Sequence, residues 1–92
     1  MTMDELMELH WQQFVDKFNL LKSGANPWDA TQLAANMHGS SNAEQQAILF
    51  LLHVWDPGGE WPAPFDFIEA FRSWDESKKE AFIAWCNDPL WP

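Results

Sequence analysis

The chain has 92 residues, room for one domain, and surface scaling lets such a chain bury about 64% of its unfolded area without disulfide or metal support. Apolar types make up 47% and charged types 21%, a globular rather than a disordered composition. Fourteen acids against five bases leave a net charge of −9, which argues against binding nucleic acid by phosphate neutralisation, and the single cysteine excludes an internal disulfide.

The first helix is predicted over residues 3–22. Thr2 followed three residues later by Glu5 is a capping box. Met7, Trp11, Phe14, Phe18 and Leu21 then recur at alternating steps of four and three, one helical stripe. Acids lead and Lys17 and Lys22 follow, as the helix dipole favours, and Gly24 supplies a stop. A second helix is expected over 27–38, with Asn26 as cap, Pro27 at its first position, and Trp28, Leu33, Ala34 and Met37 as a narrow apolar face before Gly39.

Ser41 and Glu44 form another capping box and open a third helix over 42–55. Ala43, Ala47, Ile48, Phe50, Leu51, Leu52, Val54 and Trp55 spread over most of its circumference. Asn42, Gln46, Leu49 and His53 make a narrower mixed face. A helix apolar almost all round is expected at the centre of the fold.

Asp56-Pro57-Gly58-Gly59 stops that helix, and the Pro/Gly-rich stretch to Pro64 reads as a loop. A fourth helix over 65–74 presents Phe67, Ile68, Phe71 and Trp74 at core spacing. Ser73 or Asp75 can cap a fifth over 76–86, with Phe82, Trp85 and Cys86 inward. Asp75 and Glu76 stand at helical ion-pair spacing from Lys79. The tail from Asn87 to Pro92 cannot continue a helix, and its Leu90 and Trp91 suggest packing back on the body. No repeat or linker divides the chain. The reading is all-α: a single domain over 1–92, with about five helices around the third.

Motifs for chemistry are missing. Cys86 lies at a helix C-terminus, where the dipole raises a thiol's pKa, so a buried, inert cysteine is the simpler reading than a Cys–His nucleophile. His53 and Asp56 share a helix face, but His10 and His38 lie elsewhere and no Glu-x-x-His occurs, so no metal site is expected. Asp4, Glu5, Glu8, Asp75 and Glu76 suit helix N-termini, and Gly58-Gly59 lacks the lysine and hydroxyl of a phosphate loop. No cofactor follows. The acidic N-terminal stretch is unlike a secretory leader, and the longest apolar run, Ala47 to Leu52, is far short of the ~20 residues that span a bilayer. With no basic cluster to attract anionic lipid, the expectation is a soluble cytoplasmic protein without membrane contact.

The feature that stands out is aromatic loading beside negative charge. Seven tryptophans are present, and Trp11, Trp55, Trp74 and Trp85 occupy core-type positions. Trp28, Trp61 and Trp91 each adjoin a proline at a helix start, in the loop or in the tail. Each is either a lid on the core or an interface anchor. Six acids between Asp56 and Glu76 face one base, Arg72. Such a run is ordinarily a solvated face. Its sharper meaning is recognition of a basic partner. The expected function is therefore a non-enzymatic protein-binding module that uses Trp61, Trp91 and Trp28 with Glu60, Asp66 and Glu69, and that could pair with a second copy. The alternative is an acidic inhibitor filling a nucleic-acid-binding groove, similar to phage-encoded antagonists in size and charge alone. An enzyme comes third.

Overall fold

The computed structural model describes residues 2–20 and 22–88, and among them the regular structure is helical, in five segments with no strand. The chain is all-α. Helix α1 (Met3–Asp16) starts at the Thr2 capping box, with the Thr2 side chain accepting from the Glu5 amide. It ends six residues before residue 22, the expected end. Successive bonds from Lys17 to Phe14, Phe18 to Val15 and Asn19 to Asp16 tighten the chain, and Asn19 (φ 54°) turns it into the left-handed region. Leu20, which lies off the helical stripe, is thereby buried, as are Trp11, Phe14 and Phe18. Leu21 lies outside the described residues.

Helix α2 (Ala30–Ala35) starts three residues later than expected, and Asp29 rather than Asn26 caps it. Residues 24–28 are committed to a turn instead. Gln12 of α1 donates to the Ala25 carbonyl at 2.7 Å and accepts from the Trp28 amide at 2.8 Å, while the Asp29 amide donates to the Gly24 carbonyl. With the Trp28 and Asp29 amides so used, the Asp29 carboxylate is the first acceptor placed for the helix's free N–H groups, and it takes that of Gln32. The Asn26–Pro27 peptide bond is cis.

Helix α3 (Asn42–Trp55) buries every residue from Ala47 to Leu52 and packs against both α2 and α4. Its mixed face is covered as well from Gln46 to His53, while Asn42 stays exposed. Gln46 accepts from the Asp66 amide at 2.9 Å, His53 Nε2 lies 2.9 Å from the Ala63 carbonyl, and Leu49 between them is buried. The loop after α3 thus folds back along the one side of the helix that carries polar posts.

Helix α4 (Phe67–Ser73) is shorter than expected and turns only part of the expected face inward, with Phe71 packed on the core. Ala70 and Trp74 are buried, whereas Phe67 and Ile68 are 53% and 62% exposed. The methyl-sized Ala70 permits close approach to α3, and the Trp74 indole N–H reaches the Ala43 carbonyl at 2.9 Å. These two contacts set the rotation of the helix and leave Phe67 and Ile68 on its outer side. Helix α5 (Glu76–Asn87) is capped by Asp75 and packs through Ala81, Lys78, Phe82 and Trp85. Cys86 does not face inward. It is exposed, because the buried stripe passes through positions 78, 81, 82 and 85. The lysines pair one turn back, Lys78 with Asp75 and Lys79 with Glu76.

Two aromatic groups organise the interior. Phe50 is the hub of the larger, with the rings of Phe14, Phe18, Phe65, Trp74, Phe82 and Trp85 centred 5.0–6.5 Å from its own. Trp11, Trp28 and Trp55 form the smaller, with centroids 5.1–5.5 Å apart.

Candidate functional site

Four of the six residues singled out in the sequence fall on one stretch, the loop after α3 and the start of α4. Trp61 is half-buried. Its indole N–H donates to the Asp56 carbonyl at 2.9 Å, and its ring presses on Gly59, where an added Cβ would stand 2.8 Å from the indole. Asp56 also accepts from the Gly58 amide through its side chain. The residue closes its own loop and keeps part of its ring in solvent.

Glu60 beside it is exposed. Asp66 is exposed too, and caps α4 by accepting from the Glu69 amide at 3.1 Å. Glu69 is half-buried and accepts from the Asn42 side chain at 3.3 Å, joining α4 to the first turn of α3. Between these two acids stand Phe67 and Ile68, which sequence spacing assigns to the core. Phe67 stacks on Phe71 at 4.7 Å with an interplanar angle of 27°, which holds its ring in one orientation at the surface. The resulting surface sets exposed Phe67 and Ile68 beside the carboxylates of Asp66 and Glu69, with exposed Arg72 one turn on from Ile68. The signal that could have found it is Ala70, since a small residue on a short helix marks the side that approaches a neighbour.

The structure places Trp28 apart from this surface, in the Trp11–Trp28–Trp55 group, and Trp91 lies outside the described residues. A cavity of about 380 Å³ opens beside that group, lined by Glu8, Trp11, Gln12, Pro27, Trp28 and Trp55. A second cleft of about 440 Å³ runs between α1 and α5, with His10, Phe14, Lys17, Trp85 and Asp88 among its walls. Other exposed apolar side chains are Met3, Leu6 and Leu9 on α1 and Ile83 on α5.

Among the described residues no group of three or more His, Cys, Asp or Glu side chains could hold a metal ion. His53 is engaged with the loop, and Asp56 with Gly58 and Trp61. Among the described residues no helix is long and apolar enough to cross a membrane. Compared with protein-family models, curated proteins and solved structures, the chain matches none.

Proposed function

We propose that the chain is a non-enzymatic protein-binding module that engages a basic protein surface through the loop after α3 and the first turn of α4. The observation that carries this reading is the pair Phe67 and Ile68, each more than half exposed, between the carboxylates of Asp66 and Glu69. An apolar centre bordered by charge is the anatomy of a protein contact, in which the centre contributes affinity and the border selects the partner. Trp61 and Glu60 extend the surface along the loop, where Pro57, Pro62 and Pro64 limit the freedom lost on binding. The net charge of −9 favours a basic partner over a second copy, because two copies would repel each other. The reading carries no chemistry of its own, and a reducing cytoplasm suits its lone exposed thiol.

The test compares the wild type with a Phe67→Ser/Ile68→Ser double variant, both immobilised and exposed to native cell extract. Both changes lie at exposed positions and should shift stability little. A basic protein held by the wild type, lost from the variant and weakened by Trp61→Ala supports the proposal. Identical captured sets from both proteins refute it. Retention of that partner at high salt fits an apolar centre, whereas a steep loss would turn the reading towards mimicry of a nucleic-acid backbone.

A further inference from the structure

Helices α1 and α5 run side by side in opposite directions. Just past the end of α1, the Asn19 side chain donates to the Ser77 hydroxyl at 3.3 Å near the start of α5. At the other end His10 and Asp88 share the cleft of about 440 Å³. Its α1 wall includes His10, Gln13 and Lys17, and its α5 wall includes Ala81 and Ala84, whose methyl-sized side chains keep that wall low. The α1 wall continues beyond the cleft. Met3, Leu6, His10, Gln13 and Lys17 recur at alternating steps of three and four, one stripe about 21 Å long.

The N-terminal part of this stripe is apolar and open to solvent. From Glu5 to His10 the helix is exposed except at half-buried Met7, and Met3, Leu6 and Leu9 are 71%, 37% and 44% exposed. Single exposed apolar side chains are ordinary, but three on successive turns of one face make a patch. Helical turns with so little packing are marginal in water, and these rest on the Thr2 capping box. A row at steps of three and four is the pattern that a second helix meshes with. Charge selects which helix. Glu5 and Glu8 flank the apolar residues, Asp88 stands at the same end of the cleft, and none of the three forms an ion pair among the described residues. Lys17 lies at the far end, in a recess shared with Glu80. The apolar end therefore attracts a basic helix and repels a second copy of a chain carrying −9.

We propose that the α1–α5 groove, with the exposed first turns of α1, seats a basic amphipathic helix of another protein. Its apolar edge lies on Met3, Leu6 and Leu9, and its basic residues face Glu5, Glu8 and Asp88. The site is separate from the α4 surface and does not depend on it.

The test titrates the isotopically labelled full chain with a synthetic peptide long enough to cover the stripe, with leucine on one helical face and lysine on the other. One control peptide carries glutamate in place of lysine. A second has the lysine peptide's composition scrambled so that no leucine face forms. NMR is expected to show saturable binding of the lysine peptide, with shifted resonances along residues 3–17 and at the Trp85 indole that lines the cleft. Each control is expected to bind at least about tenfold more weakly. Leu6→Gln/Leu9→Gln, at exposed positions, should weaken binding about tenfold or more with the helical spectrum unchanged. Phe67→Ser/Ile68→Ser should leave it unchanged, so failure here and failure of the α4 reading are told apart. If the leucine variant fails to fold, the three peptides and the shifted resonances of the wild type still decide. Equal binding of the scrambled peptide would reduce the contact to charge and overturn the proposal, as would shifts centred on α4 or the absence of saturation. Dimerisation of the wild type in sedimentation, abolished by Leu6→Gln/Leu9→Gln, would give the face to a second copy and overturn it too.

Discussion

At the scale of single residues, Gly24 and Trp61 show how little slack the turns have. Gly24 is buried at φ 101°, and an added Cβ would meet the Leu33 backbone and stand 2.8 Å from the Asp29 carbonyl. Both neighbours are backbone, so neither can swing aside. Gly24→Ala is expected to destabilise the fold by about 2–4 kcal/mol, from left-handed strain plus overpacking, measured by urea denaturation. Trp61 poses the reverse case, with a polar tie at one end of a half-exposed ring. Trp61→Phe removes the bond to Asp56 and part of the indole that presses on Gly59, and should cost about 1 kcal/mol. Trp61→Ala also strips the contact with Gly59 and should cost about 2 kcal/mol, below the ~3–5 kcal/mol of a fully buried tryptophan. A cost for Trp61→Ala within that higher range would mark the residue as a lid and shift binding onto Phe67 and Ile68.

At the scale of elements, α3 carries the fold because it is apolar on its broad side and hydrogen-bonding on its narrow one. Leu51 and Leu52 have no exposed surface. Truncating either to alanine should cost ~2–5 kcal/mol in denaturant melts, the penalty for emptying a packed site. On the narrow side, Gln46 and His53 hold a loop whose prolines cannot donate hydrogen bonds of their own. Gln46→Leu should leave the Asp66 amide without its acceptor. Faster hydrogen exchange at that amide, against unchanged exchange in the centre of α3, is the expected signature. Helix α4 is the complementary case. Seven residues are too few for stability in isolation, so its position depends on the Asp66 cap, the bond from Trp74 to Ala43 and the seat of Ala70.

At the scale of the whole molecule, the charge is unbalanced while the interior is heavily aromatic. The acids repel one another, and the ion pairs among the described residues are single i,i+3 pairs with exposed carboxylates, each worth tenths of a kcal/mol. Raising salt from low ionic strength should therefore raise Tm, as screening relieves repulsion that no pairing offsets. A Tm that fell with salt would show that specific ion pairs matter more than net charge. Excess chelator should leave Tm unchanged, since among the described residues no ligand cluster couples folding to a metal. The aromatic groups supply the opposing term, because edge-to-face contacts around Phe50 and among the three tryptophans add to the area they bury.

Elements whose cause is local were legible along the chain. The capping box at Thr2, the Ser41 cap, the apolar run of α3 and the break at Asp56-Pro57-Gly58-Gly59 act within a few residues and stand where they were read, although Glu44 accepts from the Ser41 hydroxyl rather than closing a box on its amide. Caps, propensities and prolines act through the chain's own backbone, so periodicity and punctuation expose them. Tertiary structure alone decided the rest. It ended α1 at Asp16, delayed α2 until Asp29 could cap it, and turned Phe67, Ile68 and Cys86 outward. In each case a distant partner chose among arrangements that local energies left nearly equal. Gln12 claimed the Ala25 carbonyl and Trp28 amide, and α3 accepted Ala70 where a bulkier side chain would have kept the helices apart. The candidate functional site has this origin only in part. Glu60, Trp61, Asp66 and Glu69 are close in sequence and could be read as one stretch. The packed group of Trp11, Trp28 and Trp55 could not, because it exists only once three separate segments have come together.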